Sequence, residues 1–90
     1  MFLHIGLGKL VNKNDIIGIF DLETTSTEKR TREFLKINEK KGLMKSYCEE
    51  IPKTYIVCEK NKKREILMSQ ISSQTLYKRA ERIEKFGTEN

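Results

Sequence analysis

Two β-type runs, Phe2–Ile5 and Ile16–Asp21, with turn signals at Gly6–Gly8 and Asn12–Asp15 between them, constrain this chain more than any other stretch. Glycine supplies backbone angles that a side chain forbids, and Asn and Asp bond their own backbone in turns. Ile16, Ile17, Ile19 and Phe20 form the most β-branched and aromatic run in the sequence, which predicts a strand buried on both faces. A shorter apolar pair, Leu10–Val11, lies between the runs and is compatible with a strand or a loop. The stretch has the form of a hairpin scaffold. Nothing in it resembles a catalytic site.

Beyond this scaffold, Thr25 and Glu28 fit a capping box that opens a helix running to about Lys41, with Gly42 as its left-handed terminator. Its predicted apolar stripe is thin: Phe34, Leu35 and Ile37, with Thr31 and Asn38 at the margins. Lys29, Arg32, Glu33, Lys36 and Glu39 make the opposite, solvated face. Leu43–Tyr47 predicts a short strand and Cys48–Glu50 a turn. Thr54–Cys58 and Arg64–Ser69 predict an antiparallel hairpin with a basic tip, and Pro52 stands at its entry, where a missing N–H does least damage. Ser72 or Ser73 caps a last helix over about 73–86, carrying Leu76, Ala80, Ile83 and Gly87 on one face. The expectation is one α+β domain over 1–87, with two helices and a mainly antiparallel sheet in the order β-β-β-α-β-β-β-α, followed by a frayed tail at 88–90.

Charged residues make up 34% of the chain against 37% hydrophobic, so the core is lean for 90 residues, a deficit that small domains often meet by oligomerising. The net charge of +5 is uneven: residues 53–86 hold nine Lys or Arg against four Glu, whereas residues 1–52 are nearly balanced. That balance suits a polyanion, either nucleic acid or an anionic membrane surface. Cys48 and Cys58, with His4 the single histidine, are too few to build a structural zinc site, and they predict free thiols in a reducing cytoplasm. No stretch approaches the ~20 apolar residues of a membrane span.

Signatures of catalysis are missing. There is no HExxH, GxSxG or P-loop lysine, and Gly6-Leu7-Gly8 lacks the third glycine and the helix start of a dinucleotide site. His4 has no nucleophile or ligand near it in sequence, and Asp15, Asp21 and Glu23 fit turns and strand ends. These features predict a non-enzyme without cofactor or metal. Basic clusters are present instead, because polyanion binding needs several cations on one surface. One is the hairpin tip (Lys60, Lys62, Lys63, Arg64) and another the last helix (Lys78, Arg79, Arg82, Lys85), with Lys9 and Lys13 in the first turns. No stacking-rich aromatic motif and no helix-turn-helix accompany them.

The segments HIGLGK (residues 4–9), DIIGIFDLE (15–23), FLK (34–36), PKTYIV (52–57) and LMSQISSQTLYKRA (67–80) occur in an order and spacing that resemble the RemA/RemB extracellular matrix regulators. The likeness is strongest to the RemB branch and spans about residues 2–83. It implies a small bacterial regulator of matrix or biofilm genes with a β-rich, LytTR-like fold. From the RemA branch it implies double-stranded DNA binding by a ring-like homo-oligomer. RemA-type sequences carry an arginine where this chain has Asp15, and an arginine cluster where it reads Cys48-Glu49-Glu50-Ile51-Pro52-Lys53. A carboxylate repels the phosphate that an arginine fork grips. DNA contact here therefore falls to other cations: Lys9, Lys13, Lys53, Lys62, Lys63, Arg64, Lys78, Arg79 and Arg82. The alternative is a protein-interaction module that modulates a DNA-binding relative without touching DNA.

Overall fold

A computed structural model describes the backbone of residues 1–25 and 28–87, and the side chains of these except Thr25 and residues 82–87. The elements are β1 (Phe2–Gly6), β2 (Lys9–Asn12), β3 (Ile16–Asp21), a single helical turn α1 (Leu22–Thr25), α2 (Lys29–Lys40), β4 (Met44–Tyr47), β5 (Thr54–Lys60), β6 (Lys63–Ser69) and α3 (Ser73–Gly87). A short 3-10 turn over Lys13–Asp15 joins β2 to β3, with the Asn12 side chain accepting from the Asn14 N–H. This is an α+β fold, as the element pattern predicts.

The opening stretch divides between two sheets. β1 pairs antiparallel with β2, so Leu10–Val11 does belong to a strand. β3 leaves that ladder and joins a four-stranded sheet of order β3-β5-β6-β4. Within it β3–β5 and β5–β6 are antiparallel, whereas β4 runs parallel to β6. The expected hairpin of the first and third runs therefore does not form.

The prediction that Ile16–Phe20 is buried on both faces is also corrected. β3 is an edge strand, with Ile17 58% and Phe20 39% exposed. Its lack of alternation has another cause: the register slips between Ile16 and Gly18, so Ile17 is an extra residue in a bulge that breaks the period of two. Phe20 then folds back over Gly18, where an added Cβ would meet its ring at 2.7 Å, and stacks on Tyr55 at 5.0 Å. The strand buried along most of its length is β5, from Thr54 to Cys58.

Three layers result. β1, β2 and α3 cover one face of the larger sheet around Leu3, Ile5, Val11, Ile19, Ile56, Leu67 and Leu76. On the other face Leu22, Phe34 and Leu35 pack against Tyr55, Val57 and Ile66. Ser69, fully buried, ties the layers together: its hydroxyl donates to the Ile5 carbonyl at 2.6 Å and accepts from the Ile71 N–H at 3.0 Å. Ser72 caps α3 by accepting from the Thr75 N–H.

α2 departs from expectation at its start and on its buried face. It begins at Lys29, later than the expected start near Thr25, behind an extended Glu28 that makes no side-chain cap bond; the Thr25 side chain lies outside the described residues. Thr31 and Asn38 are buried, while Ile37 is 53% exposed. Asn38 is tolerated there because its amide donates to the Phe34 carbonyl at 2.8 Å. Gly42 ends the helix at φ +72, as the sequence suggests.

The β5–β6 loop is two residues long, and both Asn61 (φ 52) and Lys62 (φ 65) are left-handed, the geometry of a type I′ turn. Glycine is the preferred second residue of such a turn, and Lys62 holds that place under strain. Lys62→Gly is therefore expected to stabilise the fold by about 0.5–1 kcal/mol, read as a higher denaturant midpoint. An unchanged or lower midpoint would show that the turn carries no such strain.

Candidate nucleic-acid interface

Strand alternation sorts the cations of the hairpin tip. With the register fixed by the two-residue turn, Lys60 sits directly opposite Lys63, and Glu59 opposite Arg64. Cys58, Lys60, Lys63, Glu65 and Leu67 share one face, whereas Val57 and Arg64 share the other. Arg64 accordingly turns away from its lysine neighbours and approaches Glu59 at 3.9 Å.

On the first face a cleft of about 470 Å³ opens between β2 and the β5–β6 hairpin. Lys9, Lys60 and Lys63 line it together with Asp15 and Glu65. Lys45 engages Glu65 at 3.2 Å, which leaves Asp15 the less compensated carboxylate. Lys9 lies 5.5 Å from the centre of the Tyr47 ring, a cation–π placement that holds it beside the cleft. Neither Lys60 nor Lys63 forms an ion pair among the described residues. Like charges directly opposite in a ladder are destabilising, so this pair is held at a cost that a bound anion would relieve.

Cys58 forms part of the cleft wall. Burial first, then the Glu65 and Asp15 carboxylates, push its thiol up from 9.0 to about 11, against the pull of Lys9. It is a protonated thiol at neutral pH and a poor nucleophile. An unfolded chain releases this proton near 9.0, whereas the folded chain keeps it to about 11, so stability falls as pH rises through that window. Denaturant midpoints are expected to drop more steeply between those limits for the wild type than for Cys58→Ala. Parallel curves would remove the thiol from the pH response.

The remaining candidate cations lie elsewhere. Lys62 is exposed in the turn itself, next to the cleft pair. Lys53 precedes β5 and so stands a strand length away, about 20 Å at ~3.3 Å per residue, in a loop that also carries Glu49 and Glu50. Lys13 borders a different hollow with Tyr77 and Glu81. Lys78 and Arg79 are exposed on α3, and Arg79 donates to the His4 carbonyl of β1 at 3.2 Å. The Arg82 side chain lies outside the described residues. Lys9 thus joins the hairpin tip, and the α3 cations form a separate group.

Residues 2–80 match the family described as RemA-like, extracellular matrix regulatory protein A-like. The chain belongs to the RemA-like family. No curated protein matches it. In this RemA-like protein the cleft joins the first turn and the hairpin tip, which lie some fifty residues apart in sequence. Sequence reasoning overlooked the pairing of Lys60 with Lys63 and the opposite facing of Arg64. The two-residue loop that fixes register and parity comes from the structure, because a connection over residues 59–63, as the sequence suggests, leaves both open. Nothing in the sequence placed Asp15 and Glu65 in the same cleft. No group of three or more His, Cys, Asp or Glu is placed to hold a metal ion among the described residues, and no described helix is long and apolar enough to cross a membrane.

Proposed function

We propose that this RemA-like protein is a non-catalytic, cytoplasmic regulator of extracellular matrix genes that binds double-stranded DNA as a homo-oligomer. The observation that carries the proposal is the opposed pair Lys60 and Lys63, joined by Lys9 across the cleft and by Lys62 at the tip. One copy offers few phosphate contacts, and an assembly repeats them along a duplex, gaining avidity without any new type of contact. The test is fluorescence anisotropy of a labelled duplex of ~30 base pairs, titrated with protein at several salt concentrations. Binding whose logarithm falls linearly with log salt, at about 0.9 per phosphate neutralised, supports the proposal. Absence of binding even at low salt would overturn it.

A second reading is favoured by one observation: Glu49 and Glu50 are exposed beside Ile51, which is 85% exposed. Such a loop suits a protein partner better than phosphate. In that reading the protein modulates a DNA-binding relative, and it would co-sediment with that relative while leaving free DNA untouched.

A further inference from the structure

Two surfaces of this chain complement each other and are not in contact within it. The first is the loop between β4 and β5. Ile51 is the most exposed large apolar side chain described, at 85%, and Glu49 and Glu50 precede it. The loop is fastened from below: the Glu49 and Glu50 N–H groups both donate to the Gln70 side-chain carbonyl, at 2.8 and 3.3 Å, and the Lys53 N–H donates to the Ser69 carbonyl. Pro52 restricts Ile51 to extended backbone. An apolar side chain held rigidly in water beside two carboxylates loses little further entropy on docking.

The second surface is a groove of about 360 Å³ along the edge strand β3, on the α2 side of the sheet. Ile17, Phe20, Phe34 and Val57 line it, and Arg30 and Arg64 supply its charge. The bulge that throws Ile17 outward also shapes this groove. Arg64 has only a long, half-exposed pairing with Glu59, and Arg30 makes no ion pair among the described residues.

We infer that the Glu49-Glu50-Ile51 loop of one copy docks into the Arg30/Arg64 groove of a second copy, with Ile51 against Ile17 and Phe20 and the two carboxylates against the two guanidinium groups. The occupant is a second copy because this same chain carries both the apolar plug with its negative pair and the apolar groove with its positive pair. Different surfaces meet, so the contact is head-to-tail, and repetition closes a ring or extends a chain. The inference rests on the homo-oligomer in the proposed function and supplies its interface. It also gives the acidic loop a role: carboxylates that repel DNA instead join the protomers whose lysines contact it.

Charge reversal with rescue tests the contact. Sedimentation velocity over a range of protein concentrations would compare the wild type, Glu49→Arg/Glu50→Arg, Arg30→Glu/Arg64→Glu, and the chain carrying all four changes. Arg30 lies in the first turn of α2, where a negative charge suits the helix dipole, whereas Arg64→Glu faces Glu59 across the ladder, so the thermal midpoint of each variant is measured beside its sedimentation to separate lost assembly from lost fold. Each double variant is expected to weaken assembly by roughly tenfold or more, and the four-fold variant to restore it. If the wild type assembles and the double variants assemble equally well, the oligomer stands and this interface is overturned. If both double variants dissociate but the four-fold variant stays apart, the pairing of loop with groove is overturned. A wild type that remains monomeric at every concentration removes both the oligomer and the interface.

Discussion

Gly6→Ala is expected to destabilise the protein by about 3–5 kcal/mol, a large share of the ~5–15 kcal/mol that holds a domain of this kind. Two penalties add. Gly6 has φ +134, a conformation that residues with a side chain rarely adopt. An added Cβ would also stand 2.7 Å from the Tyr47 carbonyl oxygen. That oxygen belongs to β4 backbone, held in place by parallel pairing of Tyr47 with Ser69, so it cannot swing aside as a side chain would. The damage would also reach the Ile5 carbonyl, which accepts from buried Ser69. Gly8→Ala is the control: φ is +74, but an added Cβ meets nothing within 4 Å, and the expected loss is about 1 kcal/mol. Equal denaturant midpoints for the two variants would show that close approach of β1 to β4 is not what Gly6 provides.

Replacing Lys9, Lys60 and Lys63 together by alanine is expected to lower the salt slope of duplex binding by about three for each copy in contact, and affinity at low salt with it. Lys60→Ala/Lys63→Ala, which keeps the Lys9–Tyr47 contact, should be as stable as the wild type or slightly more so. Its removal of the Lys60–Lys63 repulsion is worth a few tenths to about 1 kcal/mol. A residue kept for structure moves both quantities down together; a residue kept for phosphate separates them. Asp15→Asn, which takes a carboxylate out of the same cleft, is expected to strengthen binding. Replacing Lys78 and Arg79, on the α3 side, should change affinity far less if the cleft leads the contact. An unchanged slope in the triple variant would take the cleft out of the interface.

Element order, an antiparallel hairpin with a basic tip, a cap at Ser72 or Ser73 and the stop at Gly42 all follow from local chemistry. Backbone preference, turn residues and capping act within a few positions, so the sequence by itself determines them. It also carries the ordered segments of a RemA-like chain over residues 2–80. What it does not determine is which strand becomes the edge. Ile16–Phe20 has the composition of a central strand, but β5 can pair on both sides through its hairpin and its register with β3, and β3 is left with one open edge. The bulge at Ile17 hides this, because one extra residue breaks the alternation that would have marked a solvent-facing side.

Ile37 and Asn38 show the same limit on α2. Hydropathy ranks isoleucine inside and asparagine outside, yet Asn38 is buried because its amide finds the Phe34 carbonyl, a partner that periodicity does not reveal. The candidate site was legible only in part. Lys60, Lys62, Lys63 and Arg64 stand out as a basic run, and the register of the hairpin then turns Arg64 to the other face. That Lys9 and Asp15 meet them depends on how the β1–β2 ladder lies across the larger sheet, fixed by Leu3, Ile5 and Val11 in the core and by the buried hydroxyl of Ser69. Long-range packing has no period along the chain. The charge of this protein was therefore set by its sequence, and the facing of that charge by its tertiary structure.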